Sequence, residues 1–160
     1  MDPREIVCIC FGNICRSPMM EALLQRALDE RFGAGAFLVT GAGIGADDGR
    51  PPSQGTVRAM SRRGLDVRSH RSRFLTPGIV RGAWRVYAAE AYQVEHARRA
   101  ADAEAHARID LFGEEVPDPF GSSDQAYEAV AQQIERLLPG VVEAIARELE
   151  ASPDEGSEAP

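Results

Sequence analysis

The chain predicts a single α/β domain, a four-stranded parallel sheet with helices on both faces. Three observations carry that expectation. Short apolar runs alternate with segments of helical period along the sequence, the pattern of parallel strands joined by helical crossovers. A length of 160 residues suits one core, and no repeat marks a second domain. Two chemistry-bearing stretches, at Cys10 and Asp118, follow predicted strands directly, where open parallel sheets place their sites.

Residues 5–10, around Ile6-Val7-Cys8-Ile9, read as the first strand; Cys8 faces away from Ile9 and is expected buried and inert. A helix follows from Ser17 to about Phe32, with Met20, Leu23, Leu24, Ala27, Leu28 and Phe32 on one face. Ser17 suits its N-cap, Pro18 its first position and Gly33 its stop. Residues 36–40 form the second strand. The glycines 41, 43 and 45 after it lack the dinucleotide spacing and are expected in a turn beside the first loop. A helix over about 53–63 ends at Gly64, and the basic stretch 67–73 is irregular.

A short helix near 76–81 leads to a third strand at 84–88. Residues 90–107 are expected as one helix and 107–112 as the fourth strand. The last helix starts at about Ser123 and keeps Val130, Ile134, Leu137, Leu138, Val141, Ile145 and Leu149 in helical spacing. Pro139 is expected to kink or break it. The domain spans 1–150, and 151–160 reads as an acidic, disordered tail.

A net charge of −7 argues against nucleic acid as a partner. No apolar run is long enough to span a bilayer and no basic-then-apolar leader is present, so membrane insertion is not expected. The three cysteines, at 8, 10 and 15, are too crowded for a disulfide framework and suit a reducing cytoplasm. His96 and His106 share no metal-ligand spacing with them; neither metal nor cofactor is expected.

The segment Cys10-Phe11-Gly12-Asn13-Ile14-Cys15-Arg16-Ser17-Pro18 stands out. A cysteine at a strand's end, five residues and then an arginine at a helix's start suit a thiolate that attacks a phosphate. The N–H groups of such a turn cradle a dianion. The helix N-terminus and Arg16 favour the nucleophilic thiolate, and the planar guanidinium can hold two phosphate oxygens at once.

This segment resembles the active-site loop of the low-molecular-weight protein tyrosine phosphatases, closest to bacterial members that act beside tyrosine autokinases. The resemblance covers about residues 4–148. It implies a flavodoxin-like phosphatase fold, with Cys10 as nucleophile of a phosphocysteine intermediate and Arg16 as phosphate ligand. It also implies that Phe11, Gly12, Asn13, Ile14, Cys15 and Ser17 shape the phosphate site, with Ser17 stabilising the thiolate and Asn13 taking the left-handed conformation of a tight cradle. Asp118, in Pro117-Asp118-Pro119-Phe120-Gly121, matches the family's general-acid loop, and Phe120 is placed to stack on a substrate ring. His70 matches a histidine that hydrogen-bonds to the loop asparagine. Cys15 is implied to pair with an oxidised Cys10. The implied partner is a tyrosine-phosphorylated protein, such as a tyrosine autokinase or exopolysaccharide machinery.

Three departures stand beside the resemblance. Gly41 occupies the place of a serine that braces the loop. Asp47 and Asp48 replace aromatic or apolar residues of the cleft wall, and Trp84 and Ala89 bound the third strand in place of an acid and a methionine. Phosphoarginine hydrolysis is the alternative on the same scaffold, but bulky Ile14 suits a phenyl ring better than a guanidinium. Arsenate reduction needs further cysteines, and none follows Cys15. A non-catalytic phosphate-binding module would be expected to lack the nucleophile or the acid, and both are present.

Overall fold

Four parallel strands form one sheet in the computed structural model, which describes residues 2–151. The strands are β1 (Arg4–Cys10), β2 (Phe37–Gly43), β3 (Arg85–Ala88) and β4 (Ile109–Leu111), in the order β2-β1-β3-β4. Cys10 pairs with Gly43 at the last rung of β1 and β2, and Ile9 with Ala88 across β1 and β3. The chain leaves β1 toward one edge and later crosses to the other. The carboxyl end of β1 is therefore the point where strand order reverses and a crevice opens.

Helices cover both faces. They are α1 (Arg16–Phe32), α2 (Gln54–Ser61), α3 (Pro77–Gly82), α4 (Ala91–Arg99) and α5 (Asp124–Ala151), with a 3₁₀ turn at Ala103–Arg108. Ile6, Cys8 and Cys10 face a core shared with α1 and α5, including Met20, Leu24, Ile134 and Ile145. Val7 and Ile9 face the other core, with Val80, Val94 and Ile109. Cys8, fully buried, lies opposite Ile9 as the period of two requires.

The structure corrects several expectations. Helix α1 begins at Arg16 with Cys15 as its cap, and Ser17 does not cap it. The Ser17 hydroxyl is engaged by Cys10 and Asn13 instead. Gly41 and Gly43 belong to β2, not to a turn. Lacking side chains, they let the loop after β1 lie against the strand: a Cβ on Gly43 would stand 2.5 Å from the Phe11 carbonyl oxygen and 2.9 Å from the Asn13 nitrogen.

The expected helix over 90–107 is divided into α4 and the 3₁₀ turn. A straight helix of that length would run about 27 Å and overshoot the short strands it must connect. Pro139 lies inside an unbroken α5. It is exposed, so water can satisfy the carbonyl it frees, while buried residues on both sides, Ile134 and Val141 among them, anchor the helix. The helix reaches Ala151, the first residue of the expected tail; residues 152–160 of that tail lie outside the described residues.

Candidate active site

The loop between β1 and α1 curls around the Cys10 sulfur. Five of its carbonyls, from Cys10, Phe11, Asn13, Ile14 and Cys15, are held from outside. Those of Cys10 and Phe11 accept the N–H groups of Ile44 (3.1 Å) and Gly45 (2.9 Å). The Ile14 carbonyl accepts the Ser53 N–H at 2.9 Å, and the Cys15 carbonyl accepts the Thr56 hydroxyl at 3.0 Å. His70 Nε2 reaches the Asn13 carbonyl at 2.7 Å. A planar trans peptide that turns its C=O outward turns its N–H inward. The Asn13 N–H donates to Cys10 Sγ at 3.3 Å, and those of Gly12, Ile14 and Cys15 find no acceptor among the described residues. The result is a ring of donors above a sulfur, suited to an oxyanion.

Asn13 makes this curl possible. It is the one non-glycine among the described residues with positive φ, at 55°, a conformation asparagine tolerates better than most residues. Its amide donates to Ser17 Oγ at 2.6 Å and to Glu21 Oε2 at 3.2 Å, and its Oδ1 accepts the Arg73 N–H at 3.1 Å. Since Ser17 Oγ accepts from Asn13, its own hydrogen is left for Cys10 Sγ, 3.2 Å away.

Arg16 is 1% exposed, the largest fully buried side chain of the described protein. Its Nη1 donates to Glu90 and to the Val116 carbonyl at 2.9 Å, fixing the plane of the guanidinium. Nε has no partner among the described residues, and Nη2 lies 3.7 Å from Asp118 Oδ2. A buried guanidinium held at one corner with an unpaired N–H is prepared for a bidentate oxyanion.

Asp118 sits on the loop joining β4 to α5. That loop is tied to the end of β3 where the Val116 N–H meets the Ala89 carbonyl at 2.8 Å. Asp118 Oδ1 accepts the Phe120 N–H at 3.1 Å, and the carboxyl stays half exposed. Together these residues line a cleft of about 220 Å³ that holds Cys10, Phe11, Gly12, Ile14, Cys15, Arg16, Asp118 and Phe120. Phe11 is 52% and Phe120 63% exposed, two apolar rings at the mouth. Gly45 has no side chain because the Phe11 ring takes its place; a Cβ there would lie 2.5 Å from Phe11 Cζ.

The family model of the low molecular weight phosphotyrosine protein phosphatases matches residues 5–151. The chain belongs to this family. A probable low molecular weight protein-tyrosine-phosphatase EpsP of Ralstonia nicotianae is 31% identical over 137 residues, covering 83% of this chain and 90% of the relative. The crystal structure of the tyrosine phosphatase Wzb from Escherichia coli K30, in complex with sulphate, is 32% identical with a TM-score of 0.79, covering 88% of this chain and 97% of that one. The YwlE arginine phosphatase of Geobacillus stearothermophilus shares the fold, with a TM-score of 0.81 at 24% identity over 96% of this chain and 99% of that one.

In this phosphatase-family chain, each site residue expected from sequence lies at the cleft or directly beneath it. Four further residues were missed. Glu90 clamps Arg16, Ser53 and Thr56 turn the loop carbonyls outward, and Glu21 contacts Asn13. Glu90 had a signal in the sequence, since it follows a strand's carboxyl end; Glu21 follows Ser17 by one helical turn. Ser53 and Thr56 carry no local signal.

The departures also find their places. Trp84 packs its ring 5.6 Å from Phe37, with the guanidinium groups of Arg4 and Arg85 at 5.9 and 5.7 Å from the Trp84 ring. Asp47 lines the cleft, whereas Asp48 accepts the Phe74 N–H at 2.8 Å and is occupied in holding its own loop.

Proposed function

We propose that the protein hydrolyses phosphotyrosine in proteins through a phosphocysteine on Cys10. The observation that carries this reading is the convergence of a thiol, a ring of inward N–H groups and a clamped, buried Arg16 under one cleft. Cys10 attacks phosphorus while the loop and Arg16 hold the three non-bridging oxygens, stronger in the transition state as charge spreads over them. Asp118 gives its proton to the leaving phenolate and later takes one from the attacking water. The Ser17 hydroxyl stabilises the sulfur when it departs as thiolate. Neither half-reaction calls for a metal or cofactor.

The aromatic mouth supports a tyrosyl substrate. A phenyl ring fits between Phe11 and Phe120 beside Ile14, and the depth of the thiol favours the longer phosphotyrosine over phosphoserine. The partner is accordingly a tyrosine-phosphorylated protein, such as a bacterial tyrosine autokinase or a component of exopolysaccharide machinery. Three free, buried thiols suit a cytoplasmic setting, and no described helix is long and apolar enough to cross a membrane. Turnover of matched phosphotyrosine, phosphoserine and phosphoarginine peptides tests the reading. Phosphotyrosine is expected to dominate kcat/KM; equal or faster release from phosphoarginine would assign the alternative chemistry.

A further inference from the structure

Near the start of α5 stands a phenol that the hydrolytic steps do not use. Tyr127 is 5% exposed, and its ring takes the space that a side chain on α2 would fill: a Cβ on Gly55 would fall 2.4 Å from Tyr127 Cδ2. The glycine lets the phenol reach the underside of the phosphate loop. There Tyr127 Oη meets Cys15 Sγ at 3.5 Å, within hydrogen-bond reach of the larger sulfur atom.

The partners fix the hydrogens of this group one after another. The Cys15 carbonyl can only accept, so the Thr56 hydroxyl, 3.0 Å away, donates to it. Ser53 Oγ stands 3.0 Å from Thr56 Oγ1 and 3.2 Å from the Ile14 carbonyl. With the Thr56 hydrogen spent, both of these accept, and the single Ser53 hydrogen goes to one of them. Ser53 Oγ is then an acceptor for the Cys15 S–H at 3.3 Å. The Cys15 hydrogen is spent in turn, so at the remaining contact the Tyr127 hydroxyl donates to Cys15 Sγ.

We propose that Tyr127 is a positioning residue of the phosphate site: acting through Cys15, its hydroxyl opens a one-way chain of hydrogen bonds that runs through Ser53 and Thr56 and returns to the Cys15 carbonyl. Residue 15 is thereby gripped by side chain and main chain at once. It is the cap of α1 and gives that helix no side-chain hydrogen bond, because its thiol serves the chain instead. The peptide before it turns its carbonyl to Ser53 and its N–H toward the cradle, and the residue after it is Arg16. A phenylalanine at 127 would fill the same space and leave the sulfur held by Ser53 alone. Both members that could ionise stay protonated near neutral pH. Burial pushes Tyr127 up to about 12, with Cys15 adding to the effect and Ser53 opposing it. Burial also raises the Cys15 thiol, against the Ser53 and Tyr127 hydrogen bonds.

This inference rests on the phosphatase reading. Its test is inorganic phosphate binding, measured calorimetrically for wild type, Tyr127→Phe, Cys15→Ala and the double variant, with melting temperatures to confirm folding. Tyr127→Phe alone is expected to weaken binding about threefold, as for one lost hydrogen bond. In the Cys15→Ala background the same change is expected to have no effect, since the atom it acts through is gone. In turnover, the loss in kcat/KM is expected to be the same for acidic and poor leaving groups, because Asp118 is untouched. Unchanged phosphate binding in Tyr127→Phe, an equal loss with and without the Cys15 sulfur, or a loss that varies with the leaving group would overturn the role of Tyr127. A wild type that binds no phosphate would instead overturn the phosphatase reading beneath it.

Discussion

Asn13 shows how much of this site depends on single side chains. Its N–H meets the nucleophile, its amide meets Ser17 and Glu21, its carbonyl meets His70 and its Oδ1 meets Arg73. No other residue type offers these groups while accepting positive φ at low cost. At the same scale, Cys10→Ser is expected to abolish turnover while retaining phosphate affinity, since Arg16 and the loop remain; calorimetry with inorganic phosphate checks it. Asp118→Asn is expected to lower kcat by roughly 10²–10⁴ with poor leaving groups and far less with very acidic ones. An equal loss for all leaving groups would remove Asp118 from the role of acid. Cys15 donates to Ser53 at 3.3 Å, lies 3.5 Å from Tyr127 Oη, and burial pushes its thiol up, against the Ser53 and Tyr127 hydrogen bonds. Mild peroxide is expected to form a reversible Cys10–Cys15 disulfide, located by peptide mapping; Cys10 driven to the sulfinic acid with Cys15 free would exclude it.

Among the elements, the loop from 44 to 52 forms one wall of the cleft through Gly45, Ala46, Asp47 and Arg50. Asp47 is open to the cleft, its carboxylate 4.0 Å from Arg50, whereas Asp48 is committed to the Phe74 N–H. Asp47→Asn is therefore expected to reduce a preference for basic over acidic flanking residues by about fivefold at most, less at high salt. Asp48→Asn is expected to leave that preference unchanged; kcat/KM on paired peptides separates the two. Local signals in the sequence reach about this far. The strand before Cys10, the helix after it and the acid loop are legible because apolar period and turn chemistry are local. The extension of β2 through Gly41 and Gly43 is not, because those glycines answer to Glu21 and the first loop, far away in sequence. Nor is the cap of α1: Ser17 reads as a capping residue until the sulfur seven residues earlier takes its hydroxyl.

Across the whole molecule, α2 and α5 are laced by charge. Arg63 donates to Glu128 at 2.6 and 2.8 Å and to Glu135 at 3.0 Å, while Arg62 reaches Glu128 at 3.2 Å. These contacts hold α2, whose first residues shape the phosphate loop, against the longest helix. The Arg63 hydrogen bonds above all, with Arg62 adding to them, hold the Glu128 carboxyl down at about 2, below its ordinary 4.5. A depressed acid stabilises the fold above its unfolded value and loses that contribution as pH falls through the folded one. Glu128→Gln is expected to cost on the order of 1 kcal/mol at pH 7, limited by partial exposure, and the difference from wild type is expected to shrink between about pH 4.5 and 2. Urea unfolding at both ends of that window checks it.

The most direct test of the whole account is to quench the reaction with an aryl phosphate and find the phosphoryl group by mass spectrometry. The expected result is one phosphoryl group on Cys10, accumulating further in Asp118→Asn with an acidic leaving group and absent in Cys10→Ser. Turnover that persists in Cys10→Ser, or phosphate carried on any other residue, would contradict it.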